Sequence, residues 1–584
     1  MFGRVDRLGR IWGMYTLAFV GVVLLLWALE AAGLMTQQGI AWTFMALTVG
    51  IYATIGIISR TGNLDEYYVA GRNIPGIFNG MATGSDWMSA ASFISMAGTL
   101  YILGYEGLAY IMGWTGGYVL LAVLLAPYLR KFGAYTVPDF VGQRYPGTFP
   151  RVVAVLAAIL VSGTYLIAQV SGVGIVMSRF LGIPFEVAVF VGLLGILVCS
   201  MLGGMKAVTW TQVAQYIILI IAYIVPVTFV AMKVTGIPFP QIAYGQALTD
   251  ITVREAALGI AKGYVTPFND WGMGQFLALT LCLMAGTAGL PHILVRFYTT
   301  PNVRETRFSV GWALFFIFLL YFSAPAYAAF ARWEILHNVV GQQISSLPGW
   351  VAAWTKTGLL SITDANGDGI LQFAELALNG DAVVLAMPEI AGLPYVVAGL
   401  VAAGGLAAAL STADGLLMVV ATSISHDLYY KLINKNASEK SRLFLSKLLL
   451  VVVAVIAAAL AQFRFQVIAN IVAWAFSLAA ASFFPILVLG IFWKRINTAG
   501  AVTGMIAGLV TTFGYIIWAT STGQNIGGIL PNAAGIFGMP LNFLLTIVVS
   551  LATTAPSESI QEMVERLRYP KHVQDAPAAA VGDD

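Results

Sequence analysis

Apolar residues along this chain fall in long blocks and not in strict alternation. Between charges, glycines and prolines lie fourteen mostly apolar stretches, at about 11–33, 38–59, 75–103, 107–129, 152–178, 184–203, 207–232, 271–296, 308–331, 392–425, 443–463, 466–493, 498–519 and 534–554. A bilayer core about 30 Å thick needs roughly 20 apolar residues per helical crossing, so each stretch predicts a transmembrane helix. The stretches are too long for membrane β-strands and lack their residue-by-residue alternation. The expected fold is an all-α membrane protein of about fourteen transmembrane helices.

Composition agrees: 59% of residues are hydrophobic and 10% charged, which no set of soluble domains could hide. A net charge of +3 excludes a strongly basic nucleic-acid binder. Cys199 and Cys282 both lie in apolar runs, so neither a disulfide framework nor a thiolate metal site follows. His292, His337, His426 and His572 are scattered singly, with no HExxH or GxSxG to activate water or a nucleophile. The chain is not expected to be an enzyme.

Lys and Arg set the orientation. Counted loop by loop from a cytoplasmic N-terminus, 23 of the 30 fall inside and 7 outside, as the positive-inside rule requires. Both termini are therefore expected in the cytoplasm. The first stretch follows Arg4, Arg7 and Arg10 and is either a retained helix or a signal peptide; its length favours retention.

Inside the bilayer two acids stand out, Asp86 and Asp414, because ionisable groups there are costly. Both sit in helices dense in Gly, Ala and Ser, and a third irregular helix carries AGTAGLP at 285–291. Gly and Pro in mid-span permit unwinding that frees backbone groups for a midplane site. No Lys or Arg is expected at mid-span, with Arg296 placed at a cytoplasmic helix end.

Four long collinear motifs, YYVAGRNIPGIFNGMATGSDWMSAASF, LGGMKAVTWTQVAQ, GTAGLPHILVRF and ISHDLYY, resemble those of the sodium:solute symporters, most closely the acetate/cation symporter branch. The resemblance covers about residues 38–555, implies a bacterial inner-membrane location, and extends to large subunits that work with a small two-helix membrane partner. It implies a leucine-transporter-type core of five plus five inverted-repeat helices, each five opening on a broken helix. Sodium ligands would be the carbonyls of Ser85, Met88 and Ala408 with the hydroxyls of Ser411 and Thr412. Ala408, Ser411 and Thr412 stand at i, i+3 and i+4, so their oxygens share one helical face. Gln212 departs from the pattern, since many relatives carry Asp after Trp-Thr; Asp86 or Asp414 then becomes the candidate for charge or proton coupling. The implied substrate is a small organic anion such as acetate, propionate, pyruvate or lactate, beside Trp87, Ser89, Ser92, Phe93 and Thr287. A transporter-like sensor is the alternative, though the short tail offers no output domain.

The resulting organisation is an extra helix or signal peptide at 1–37, a peripheral helix and cytoplasmic loop at 38–74, and a first five-helix repeat at 75–232. An outer loop at 233–270 leads to a second repeat at 271–493, which contains an outer loop at 332–391. Two peripheral helices at 494–555 and a cytoplasmic tail at 556–584 complete it.

The loop at 332–391 contains DANGDGILQFAE, residues 364–375, matching a calcium-binding EF-hand loop at every position. Asp364, Asn366 and Asp368 would supply side-chain oxygens, Ile370 a carbonyl, Gln372 a direct or water-mediated ligand and Glu375 a bidentate carboxylate. A structural calcium ion is the expectation.

Overall fold

The computed structural model describes residues 2–569, and the polar end of the tail lies outside them. The chain opens with α1 (Phe2–Ala31) and α2 (Gln37–Ile58). A broken helix follows, made of α3 (Gly76–Trp87) and α4 (Met96–Leu103) joined by a π-type turn at Ala91–Ser95. Next come α5 (Leu108–Leu124), α6 (Val137–Arg144), α7 (Thr148–Leu181) and α8 (Phe185–Thr235). The second broken helix pairs α9 (Met273–Thr287) with the short α10 (Pro291–Val295), and α11 (Val303–Tyr321) follows. Beyond the long loop stand α12 (Tyr395–Thr422), α13 (Glu439–Ala461), α14 (Ile468–Phe492), α15 (Thr498–Thr522), α16 (Gly535–Ala552) and the amphipathic α17 (Glu558–Arg568).

Twelve helical stretches among the described residues are long and apolar enough to cross a bilayer, against fourteen apolar blocks. The difference is one of continuity. The 51 residues of α8 cover two blocks and at 1.5 Å per residue would run about 75 Å, more than twice a bilayer core. Gly204, at φ 55° and ψ −144°, turns the chain midway. A Cβ there would lie 2.5 Å from the Tyr67 carbonyl oxygen, so both conformation and space demand glycine. The stretch 91–124 likewise joins α4 to α5 across Gly104, at φ 58° and ψ −121°.

The breaks have local causes. Pro291 has no N–H to continue α9, and it holds Leu290 in extended backbone at φ −73°, ψ 116°. Gly286 and Gly289 let this segment approach α14 so closely that Cβ atoms would sit 2.3 and 2.6 Å from the carbonyl oxygens of Phe476 and Ala479. At the other break Met88 leaves helical geometry at ψ 67°. Between these breaks runs α12, buried along Val396–Thr422. Its Ala and Gly residues allow near-backbone approach by neighbours; a Cβ on Gly404 would come within 2.3 Å of Ala222 Cβ in α8. At the start of α12, Glu30 of α1 accepts the N–H groups of Tyr395 (2.7 Å) and Val396 (2.8 Å), satisfying donors that the helix leaves free.

The loop at 332–391 corrects one expectation and leaves a second without support. The fold is not purely helical, because Leu360–Ile362 (β1) and Leu376–Leu378 (β2) pair antiparallel, with Leu360 opposite Leu378. Residues 364–375 therefore connect two strands, where an EF-hand would place helices. The motif's side chains close the loop with its own donors. Asp364 accepts from the Gly367 and Gly369 amides, and Asp368 accepts from the Ile370 amide and the side-chain amides of Asn366 and Gln372. Glu375 accepts from the Ala365 (2.9 Å) and Gln372 (3.0 Å) amides. The segment is tied down again by Leu371, whose N–H donates to the Gln342 carbonyl at 2.9 Å. Hydrogen bonds within the protein thus engage each of these carboxylates, and neither they nor the flanking strands lend support to an EF-hand or its calcium ion. Glu375→Ala should cost about 1–3 kcal/mol locally, the scale of amides left unpaired. Limited proteolysis should show faster cleavage at 360–380, equally in chelator and in calcium.

Candidate functional site

Where α3 ends, its last carbonyls have no helical partner, and α12 supplies one. Ser411 Oγ lies 2.8 Å from the Ser85 carbonyl oxygen and 2.9 Å from that of Ala408. Thr412 Oγ1 donates to the Asp86 carbonyl at 2.8 Å and lies 3.4 Å from Ala408 O. Ser85, Asp86, Ala408, Ser411 and Thr412 are all completely buried. Four of the five expected sodium ligands are thereby brought together. The fifth differs: Thr412 reaches the carbonyl of Asp86, while Met88, already turned out of the helix, makes its recorded bond back to Gly84 through its own N–H. The cluster offers neutral oxygens from two helices, and a hydroxyl that rotates its hydrogen away presents lone pairs to a hard cation.

Beside it lies the interior charge. Arg296 Nε donates to Asp86 Oδ2 at 2.9 Å, with both side chains fully buried, and Arg296 Nη1 donates to Thr209 at 3.1 Å. Arg296 does stand at a helix end, directly after Val295, but its side chain turns inward and is buried. Its backbone carbonyl accepts from Asn79 Nδ2 at 3.2 Å, near the start of α3, and the side chain extends from there to Asp86 near the end of that helix. Gln212 Nε2 donates to the Ser411 carbonyl at 2.7 Å, so the residue standing where an acid was expected holds α12 from α8. Asp414 accepts from Ser200. Asp86 Oδ1, Gln212 Oε1 and Arg296 Nη2 have no hydrogen-bond partner. Gly415 makes room for the acid, since a Cβ there would lie 2.6 Å from Asp86 Oδ1.

Next to the α3 break, around Trp87, is a buried aromatic cluster. Trp87 meets Tyr118 and Phe476 at ring-centroid distances of 5.8 and 5.9 Å. Phe476 also meets Trp114 and Tyr165, each at 5.8 Å, and Tyr165 lies edge-on to His292 at 5.3 Å. Trp114 and Tyr118 stand one turn apart on α5, as do Tyr165 and Gln169 on α7, so each pair presents one face. Ser92 joins through Tyr321, 2.8 Å away, which in turn contacts Trp114 at 6.1 Å. Trp87 Nε1 and Ser89 Oγ have no direct hydrogen bond and sit within longer electrostatic reach of Tyr321 and Tyr165. Two expected residues are engaged in other ways, although Thr287 packs against Gly117, next to Tyr118. Thr287 spends its hydroxyl on Leu283 of its own helix at 2.7 Å, and Phe93 packs on Tyr223 at 5.1 Å.

Sequence reasoning missed Arg296, Trp114, Tyr118, Tyr165 and Gln169 as site residues. The aromatic and amide pairs at i, i+4 within apolar helices were the available signal. His292 was noticed only as a lone histidine, although it follows the proline that breaks α9.

A second buried cluster, Asp139, His426 and Asp427, has metal-ligand composition. Arg151 fills it, donating to Asp139 at 3.0 Å and Asp427 at 2.8 Å, while Arg442 lies 2.9 Å from His426 Nδ1. It is a polar network joining α6, α7, α13 and the π-helical segment Ser423–Ile433 that follows α12.

The family model described as sodium:solute symporter family matches residues 67–346 and 373–508. An uncharacterized symporter of Cupriavidus necator is 44% identical, over 96% of this chain and 98% of its own. An uncharacterized symporter of Bacillus subtilis is 29% identical, over 88% and 95% respectively. Among solved structures, a sodium-coupled sialic acid symporter in a substrate-bound outward-open state superposes with a TM-score of 0.66. It covers 89% of this chain and 99% of its own at 16% identity, a likeness of fold alone.

Proposed function

Because the chain belongs to the sodium:solute symporter family, we propose that it couples sodium entry to uptake of a short monocarboxylate of the acetate, propionate, pyruvate or lactate type. The observation that carries the ionic half is the meeting of Ser411 and Thr412 with the carbonyls of Ser85 and Asp86. These oxygens belong to a broken helix and to the buried helix beside it, two elements that alternating access must move relative to each other. A cation bound by both would favour the arrangement in which they are together, and its departure would release that preference. Its charge would also offset the cost of bringing a carboxylate into a low-dielectric interior.

The reading includes fourteen crossings, five-plus-five inverted repeats, cytoplasmic termini in a bacterial inner membrane, and a small two-helix membrane subunit as partner. Proton coupling is the second reading. It is favoured by Asp414, a buried acid for which Ser200 is the direct hydrogen-bond partner, near the Asp86–Arg296 pair.

The deciding experiment is uptake of a panel of labelled carboxylates and sugars into proteoliposomes, with sodium and pH gradients imposed separately. Accumulation of a monocarboxylate driven by sodium at constant pH is expected. Uptake that follows pH and ignores sodium would move the coupling role to Asp86 and Asp414. Sugar accumulation untouched by acetate or pyruvate would defeat the substrate class.

A further inference from the structure

A cavity of about 460 Å³ lies where the end of α6, the start of α15 and the linker from α16 to α17 meet. Arg144, Asn497, Thr498, Thr554 and Ser557 are on its wall, no Asp or Glu is, and it shares no residue with the α3–α12 cluster. Arg144, the last residue of α6, is completely buried. Arg151, Arg296 and Arg332, also buried, each face a carboxylate. Arg144 instead donates through Nε to the Gly490 carbonyl at 2.8 Å and through Nη2 to that of Trp493 at 3.3 Å, and its Cζ stands 4.7 Å from the Tyr145 ring centroid. The free carbonyls at the end of α14 favour a cation, which accounts for those two nitrogens. Nη1 has no partner. A buried charged donor left unmet is costly, so an acceptor brought from outside is favoured there.

Two helices begin at the same cavity. Asn497 is the N-cap of the 25-residue α15 and Ser557 that of the 11-residue α17. First-turn N–H groups lack partners within their helix and carry partial positive charge, which draws anions. Asn497 already caps α15 by accepting the Gly500 N–H at 2.9 Å. Ser557 makes no such bond, and its hydroxyl lies 3.0 Å from that of Ser559. The ligand is therefore an anion that accepts hydrogen bonds from several directions at once. A carboxylate offers two oxygens in one plane, whereas a phosphate offers acceptors around a tetrahedron and suits donors arriving from α6, α15 and α17. The volume falls within the range of small-molecule sites, about 300–1,000 Å³, and leaves room for more than a bare ion.

We infer that this cavity binds a phosphate group carried on a small organic body, with Arg144 Nη1 as its charged donor and Thr498, Thr554, Ser557 and the starts of α15 and α17 around it. Lys131 already holds the far end of α17 through the carbonyls of Arg566 and Tyr569, so a ligand here would secure the near end of that helix.

The test uses the full chain in detergent and follows thermal unfolding as glycerol 3-phosphate is titrated against chloride at matched ionic strength. A parallel arm compares nanodiscs of phosphatidylcholine with and without phosphatidylglycerol, which carries a glycerol phosphate on a lipid. A saturable rise in unfolding temperature is expected. In the first arm it identifies a soluble phosphate ester, and in the second alone a lipid headgroup. Arg144→Met should raise the half-saturating ligand level at least about tenfold, the scale of one hydrogen bond to a charged group. Thr554→Val with Ser557→Ala, at two exposed positions, should raise it about two- to tenfold per hydroxyl, and decides the matter if Arg144→Met does not fold. No rise above chloride in the first arm and none with phosphatidylglycerol in the second overturns the inference. A response whose midpoint is unchanged in the folded variants does the same. Because the readout is binding, either failure leaves the proposed symport untouched.

Discussion

The double variant Ser411→Ala, Thr412→Val should lose nearly all sodium-driven uptake while remaining folded. Alanine and valine preserve the small and branched shapes that α12 packs against α3, and they delete only the two hydroxyls facing the Ser85 and Asp86 carbonyls. In stability terms, each lost neutral hydrogen bond costs about 0.5–1.5 kcal/mol, and the carbonyls left unpaired add to that. For ion binding the loss is larger, because a contact to a charged group is worth about 1.5–3 kcal/mol, or about tenfold or more in affinity per hydroxyl. The half-saturating sodium concentration should therefore rise by about tenfold in each single variant. It should move beyond the accessible range in the double. The measurement is initial uptake rate against sodium concentration in proteoliposomes, with thermal unfolding in detergent as the folding control. A folded double variant with wild-type sodium dependence would place the ion elsewhere.

Arg296→Met should be the most damaging single substitution in the interior. It removes the guanidinium from a fully buried pair and leaves Asp86 charged without its counter-ion, a change that costs about 3–5 kcal/mol in buried pairs. Asp86→Asn with Arg296→Met removes both charges, so it should recover much of that stability. Uptake provides the second readout. If the pair only holds α10 against α3, the double variant should transport once it folds. If Asp86 carries charge in coupling, the double variant should be stable and inactive. Thermal unfolding of the three variants followed by uptake separates these outcomes, and an Arg296→Met protein as stable as the wild type would refute the energetic account of the pair.

The membrane helices were legible because they depend on local composition. A run of roughly 20 apolar residues has few alternatives in a bilayer, where every backbone group must be satisfied within its own segment. Gly and Pro marked the breaks at Met88 and at Ala288–Leu290 for the same local reason. The helical spacing of Ala408, Ser411 and Thr412 also placed their oxygens on one face before any tertiary contact was known. The loop at 364–375 shows the limit of this kind of reading. Its twelve positions match a calcium motif, yet a motif does not specify what flanks it, and pairing of β1 with β2 gave the same Asp, Asn and Glu side chains a role in closing a turn.

What the sequence by itself determined was therefore whatever a single helix or turn decides: helical class, breaks and the faces of individual helices. Tertiary structure alone decided the partners. It brought Arg296 onto Asp86 across 210 positions, set the Asp86 carbonyl and not that of Met88 against Thr412, and gathered Trp87, Tyr118, Tyr165, His292 and Phe476 into one aromatic cluster. Those pairings follow from how Gly- and Ala-rich helices settle against one another, where a difference of one methylene moves a neighbour. Such fits are properties of several segments at once, so no single stretch of the chain records them.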